Sequence, residues 1–295
     1  MLEWLTDTFL RLVASGDTYI FLLPIFVALV LGERLACALT RARYDDRDAG
    51  ANIAVTVAVL AIDTLVGAVL PLALLAWLYE HARLFTLGDG ARAWLLAFLL
   101  HDLVWYVDHR ISHRVGLFWA MHHVHHSSSE YNATVASRAF ILDNVMARPL
   151  FYALPVLGVS PFQFIAVRIV VSVWGIAQHT RLVPKLPVLD WLLATPSSHR
   201  VHHGSDPKYI DRNYGEVLMI WDHLFGSYQP EEEEPSYGVT EPINTYNPLA
   251  IELAGFRGLA RRVRAATRWR DKLAYLVMPP EWRHDRDAAA PVGRE

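Results

Sequence analysis

Residues 101–126 read His101-Asp-Leu-Val-Trp-Tyr-Val-Asp-His109-Arg-Ile-Ser-His113-Arg-Val-Gly-Leu-Phe-Trp119-Ala-Met-His122-His123-Val-His125-His126. The stretch starts in an apolar run and ends in a cluster of imidazoles. Seven of the chain's 14 histidines fall within it. On an α-helix successive residues turn by about 100°, so His109 and His113, one turn apart, share a face. Asp102 and Tyr106 lie on the same stripe, where Asp102 is placed to orient a ligating imidazole through its second nitrogen. His122, His125 and His126 cover an arc of about 100° and can point at one locus. His123 falls outside that arc and, like His101, reads as a supporting or packing residue.

A third box, His199-Arg-Val-His202-His203, repeats the His-x-x-His-His spacing, and His179 stands between the two. A lone histidine is usually a hydrogen-bonded or surface residue. His223 is read as structural on that ground, and His81 and His284 as exposed. Three boxes in one chain reverse the odds for His109, His113, His122, His125, His126, His179, His199, His202 and His203. These nine exceed the four ligands of one tetrahedral zinc and suit two metal ions with positions left open. Imidazole accepts Zn, Cu, Fe or Ni, so ligand type alone leaves the metal undecided.

Composition supplies the setting. The chain is 53% apolar and 19% charged, against roughly 45–50% and 25% in soluble domains. That excess predicts an integral membrane protein. The net charge of −3 singles out no partner, and the single cysteine, Cys37, excludes an intrachain disulfide and a cysteine-based metal site. Met1 to Gly16 carries Glu3 and Asp7 where a secretory signal would be basic, so an uncleaved first span is expected. Apolar runs at 18–39, 51–79 and 93–112 are long enough for membrane spans, the second with a bend at Pro71. Residues 139–177, broken at Pro155, Gly158 and Pro161, read as a helical hairpin that returns the chain to the side it left. The Arg-rich loops and every clustered histidine then share one face, assigned to the cytosol by the basic-residue rule. Glu231 to Glu234 reads as a solvated loop, 256–277 as a basic amphipathic helix on the lipid surface, and 285–295 as a loose end.

In these boxes, with Asn213-Tyr-Gly and Trp221-Asp-His-Leu-Phe-Gly226 behind them, the chain resembles the fatty acid hydroxylase and sterol desaturase superfamily. His-His-Val-His-His-Ser-Ser-Ser-Glu-Tyr-Asn132, Gln178-His-Thr180 and Pro279-Pro-Glu-Trp-Arg283 are most similar to its alkylglycerol monooxygenase branch and bacterial relatives. The resemblance implies a non-haem centre of two iron ions on the nine histidines, with Asp102, Tyr106, His123 and Asn213 around it. It implies O2 and a lipid C–H bond as substrates, and electrons from a reduced pterin or a separate reductase. Some members carry a further histidine where this chain has Gly175, which leaves room for a tenth ligand elsewhere.

The expected fold is all-α: a polytopic membrane bundle of about four spans, or three spans and a hairpin, under a cytosolic-side cap rich in histidine. Residues 1–50 would form the first span and loop, 51–228 the di-metal domain, and 229–295 the acidic loop, interfacial helix and tail. The expected function is a lipid hydroxylase or desaturase partnered by membrane lipids and an external electron donor, not by nucleic acid. A metal transporter or sensor is the alternative, but transport ligands sit near the bilayer midplane. A zinc hydrolase would need fewer histidines and a Glu general base.

Overall fold

Helices account for all the regular structure of the described residues, which in the computed structural model are 19–66, 69–143 and 148–284. The N-terminal segment up to Gly16 and the tail from 285 lie outside them. The first helix, α1 (Tyr19–Thr40), carries Leu23, Val27, Leu31, Leu35 and Leu39 at four-residue spacing, all exposed. One outward stripe of leucine and valine is a contiguous exposed apolar face, of the kind that marks a membrane or interaction surface. In α2 (Asp46–Val66), Ala51, Val55 and Val59 turn inward at the same spacing while Ile53 and Val57 face out. A third helix of this kind, α6 (Pro161–Gln178), opens with a capping box in which Ser160 and Gln163 satisfy each other's backbone N–H groups. These three are long and apolar enough to cross a membrane.

The other apolar runs divide differently from expectation. The described residues of the 51–79 run lie in α2 and α3 (Val69–Ala82), and Pro71, the expected bend, falls in the first turn of α3, where a missing N–H costs nothing. The stretch before α6 is not a full hairpin arm: Pro149–Tyr152 is a 3-10 turn and Ala153–Val156 a single helical turn. Residues 91–114 do form one continuous helix, α4 (Ala91–Arg114). It is outside the three membrane-crossing candidates because charged and polar groups at Asp102, Asp108, His109 and Arg110 interrupt its apolar surface. Phe151, Leu154, Phe164 and Ile165 pack with Leu75 and Ala97 into the core that ties α3, α4 and α6 together.

Val115 breaks α4 with an extended backbone, and α5 (Gly116–His126) carries the second box away at a new angle. Short helices α7 (Pro187–Leu192), α8 (Pro196–His202) and α9 (Ile220–Leu224) follow α6. Thr195 caps α8 and Pro196 starts it, which fixes the third box as a helix. The C-terminal basic segment is two helices, α10 (Pro248–Ala265) and α11 (Trp269–Val277). Their shared apolar face is covered by protein: Leu259, Ala266 and Tyr275 pack on Ala120 of α5. Leu249, Trp269, Leu273 and Val277 stay exposed on the outer side.

Helices α5 and α10 approach so closely that a Cβ on Gly255 would lie 2.3 Å from the Ala120 carbonyl oxygen. Gly255→Ala is therefore expected to push the pair apart and destabilise by about 1–3 kcal/mol, read as a lower melting temperature in detergent. Glu231, expected in a solvated loop, is instead buried in a two-point pair with Arg200 at 2.7 and 2.9 Å. The fork geometry of the guanidinium locks the acidic segment onto the third box.

Candidate metal centre

Helices α4, α5 and α8 and the C-terminal end of α6 converge, and each brings histidines. Their ring nitrogens fall into two groups, in each of which one ligand atom per residue lies within 4.8 Å of all the others. The first holds His109, His113, His122, His126 and His202, and the second His125, His179, His199 and His203. All nine sequence-derived candidates are thus brought together. The single locus expected for the second box is corrected: His122 and His126 turn to one group and His125 to the other. The third box divides the same way, because residues three apart on a helix are rotated by about 60° and the groups lie side by side. His126 of the first stacks on His203 of the second at 4.4 Å between ring centres.

Four rings are aimed by backbone carbonyls. The Nδ1–H groups of His109, His125, His179 and His202 donate to the carbonyls of Tyr214 (3.0 Å), Arg138 (3.0 Å), Gly175 (2.7 Å) and Arg212 (2.9 Å). Each bond selects the tautomer whose Nε2 lone pair faces inward, as metal-binding imidazoles require. The inward nitrogens crowd: His109 and His122 Nε2 lie 3.0 Å apart, and His202 and His126 Nε2 3.1 Å. The buried Nε2 atoms of His113 and His203 have no hydrogen-bond partner among the described residues, and His199 Nε2 lies 3.2 Å from His179 Nε2. Orphaned, buried, convergent imidazole nitrogens are a donor set that fits metal ions. Gly175 contributes its carbonyl here, and a Cβ at that position would meet nothing within 4 Å.

The surrounding residues differ from expectation in how they act. Asp102 reaches no ligating imidazole. It accepts from the N–H groups of Val217 (3.0 Å) and Leu218 (3.3 Å) and from Trp221 Nε1 (2.9 Å). Tyr106 likewise bonds Ser227 and Arg110 rather than a histidine. Both fasten the 214–228 segment, whose Tyr214 carbonyl in turn holds His109. Asp222 completes that segment by accepting from Tyr214 N, Gly215 N and Ser227 Oγ. Asn213 donates to the Ser198 and Gln229 carbonyls and so braces α8. Its φ of +53° is the left-handed conformation that asparagine tolerates. His123 belongs to neither group; its ring meets the edge of Trp119 at 5.8 Å. His223 is bonded to the Trp191 carbonyl, His81 is exposed, and His284 is half-buried against Tyr275.

Sequence reasoning missed three supports. Arg138, fully buried, donates to Val124 O, Asn52 Oδ1 and Ser127 Oγ and ties α2 to the end of α5 while its own carbonyl holds His125. Asp211 lies beside His113 and pairs with Arg114. Burial works against its charge, yet the His113 hydrogen bond and Arg114 hold the carboxyl down at about 2. Tyr131, buried, stacks on His179 and Tyr237.

Burial keeps the imidazoles neutral. It pushes His125 down to about 3 and His179 to about 4, with neighbouring imidazoles adding to the effect on His125. His126, His199, His202 and His203 are held well below the usual range for the same reason. An unfolded imidazole titrates near 6.5, so on acidification the unfolded chain takes up protons before the folded one does. Metal-free protein is therefore expected to keep full stability above about pH 6.5 and to lose it progressively towards pH 4. A urea-midpoint series against pH measures this, and a midpoint that stays flat over that range contradicts it.

A cavity of about 270 Å³ adjoins the histidines. Its walls include Leu22, Leu23 and Phe26 of α1, Thr56 and Leu60 of α2, and Val171, Gly175 and Ile176 of α6. It reaches His109 and His122 of the first group and His125, His179 and His199 of the second.

Comparison with known proteins agrees with this geometry. Residues 94–227 match the family model described as fatty acid hydroxylase. Over 208 residues the chain is 36% identical to alkylglycerol monooxygenase of Xenopus tropicalis, covering 70% of this chain and 46% of that protein. With the Homo sapiens alkylglycerol monooxygenase it shares 31% identity over 264 residues, 88% of this chain and 58% of the relative. Ornithine lipid hydroxylase OlsE of Rhizobium tropici is 27% identical over 152 residues, covering 50% of this chain and 46% of that protein. The chain spans about half the length of the curated relatives it matches. No solved structure matches it. With three boxes folded into two histidine groups inside the matched span, the chain carries a domain of the fatty acid hydroxylase family and resembles the alkylglycerol monooxygenases.

Proposed function

We propose that the chain is an integral membrane, non-haem di-iron oxygenase that uses O2 and external electrons to hydroxylate a C–H bond of a lipid. The observation that carries this reading is the cavity, walled by all three membrane-crossing candidates and ending on both histidine groups. An alkyl or acyl chain is the ligand such walls suit. The five histidines of the first group and the four of the second would each hold one iron ion. When bound, the irons supply the capacity to activate O2 and oxidise an unactivated C–H bond.

The protein's own work is positional. Carbonyls of Tyr214, Arg138, Gly175 and Arg212 hold four imidazoles in the ligating tautomer. Asp102, Tyr106 and Asp222 keep the Tyr214 carbonyl in place. Leu22, Phe26, Leu60, Val171 and Ile176 exclude water and hold the chain against the histidines. Residues 51–228 carry this machinery, 1–50 adds the α1 wall, and the outer face of α10 and α11 rests on the lipid headgroups. The histidine face is cytosolic, where a separate reductase or a reduced pterin delivers electrons. The apolar side chains Leu22, Leu23, Phe26, Leu60, Val171 and Ile176 among the lining residues favour a lipid chain over a transported ion.

The test is oxygen uptake by purified, iron-loaded protein with a chemical reductant and a panel of ether lipids, acyl lipids and sterols. Uptake that depends on a lipid and yields a hydroxylated product or its breakdown aldehyde is expected. No uptake with any lipid contradicts the reading.

A further inference from the structure

The cavity is not apolar throughout. On one wall His101 of α4 and Glu216 of the 214–228 segment face each other, Nδ1 to Oε2, at 3.8 Å. Both side chains are buried, at 1% and 6% exposure. Among the described residues neither nitrogen of His101 has a hydrogen-bond partner, and neither does Glu216 Oε2. Burying such groups unsatisfied is costly, so a fold that keeps them beside a cavity points to a ligand that completes them. Their separation is too long for a direct hydrogen bond. It is short enough for one oxygen to reach both at about 2.8 Å.

Resting on the reading of this cavity as the lipid site, we propose that His101 and Glu216 bind a hydroxyl group of the lipid and so select chains that carry an uncharged alcohol. A hydroxyl donates one hydrogen bond and accepts others, which matches an imidazole and a carboxyl side by side. Burial, with Asp102 second, pushes Glu216 up to about 8, so at neutral pH the pair is uncharged and suits an uncharged ligand. The other cations of the wall are engaged. Arg148 pairs with Asp108 and Asp143, each at 3.1 Å, and Arg138 is held by Asn52, Ser127 and the Val124 carbonyl. Arg168 acts electrostatically on both His101 and Glu216, and an anionic headgroup is the competing occupant that the experiment must separate.

The test is equilibrium binding of tritiated hexadecan-1-ol to the full-length, iron-loaded protein in detergent, with hexadecane and hexadecyl phosphate as competitors. Wild-type protein is expected to bind the alcohol about tenfold more tightly than the alkane, the value of one well-made hydrogen bond, and more tightly than the phosphate. Glu216→Leu and His101→Phe should bring the alcohol to the affinity of the alkane and leave the alkane unchanged. Glu216→Gln, which keeps a donor and an acceptor, should retain most of the preference. Alcohol and alkane bound equally by wild-type protein would overturn the proposal without any variant having to fold. So would tightest binding of the phosphate, or equal weakening of alcohol and alkane by the substitutions, as expected if the pair holds only water. Binding needs no turnover. An alcohol preference in protein that consumes no oxygen would sustain this site and defeat the oxygenase reading; oxygen uptake without the preference would do the reverse.

Discussion

His126→Ala is expected to lower bound metal from about two ions per chain to about one, and to cut lipid-dependent oxygen uptake by more than about 100-fold. Loss of a residue that merely supports a ligand costs roughly 10–100-fold; loss of a ligand exceeds that. His126 is chosen because its Nε2 lies 3.1 Å from that of His202 and its ring stacks on His203 of the other group. His203→Ala should remove the other ion by the same logic. His123→Ala is the control: its ring touches Trp119 and neither group, so it should keep both ions. Metal analysis by mass spectrometry on the three variants measures this, and equal losses in all three would contradict the partition into two groups.

Arg138→Met should have the largest effect on stability. The guanidinium is 1% exposed and satisfies Val124 O, Asn52 Oδ1 and Ser127 Oγ in one stroke. Burial pulls Arg138 down to about 10, still far above neutrality, so it is charged as well as bonded. Removing it leaves Asn52 Oδ1 without a donor and takes a charged donor from Val124 O and Ser127 Oγ, which keep their mutual hydrogen bond. A cost of about 2–4 kcal/mol follows from about 1–3 kcal/mol for the stranded acceptor and a smaller loss at the other two. The effect should reach the metal, because the Arg138 carbonyl aims His125. A fall in melting temperature together with selective weakening of one of the two ions is expected. A variant that melts with wild type would show that α2 and α5 are held together by other contacts.

The convergence of the nine histidines was legible because they stand in repeated boxes, whose helical spacing shows which rings can share a face. Their division was not. His122, His125 and His126 fit one arc, and only the side-by-side placement of two groups in space sends His125 the other way. The carbonyls that set the tautomers could not be read at all, since every residue offers one; Gly175 and Arg212 carry no mark of that role. Asp102 lies on the predicted stripe, but α4 turns that position towards 217–221 rather than towards a ring. The helical class and the apolar runs that contain α1, α2 and α6 followed from composition and run length. Where the 139–177 run breaks was less legible, because it is apolar on both sides of the break, and the packing around Phe151 and Leu154 decides which pieces stay helical.

The central claim is two histidine groups that hold two irons. The direct measurement is metal content of the purified full-length protein, by mass spectrometry and Mössbauer spectroscopy after growth on 57Fe. The account predicts iron near two per chain, in two sites of unequal nitrogen coordination, as five and four histidines require. One zinc per chain with no iron would contradict it.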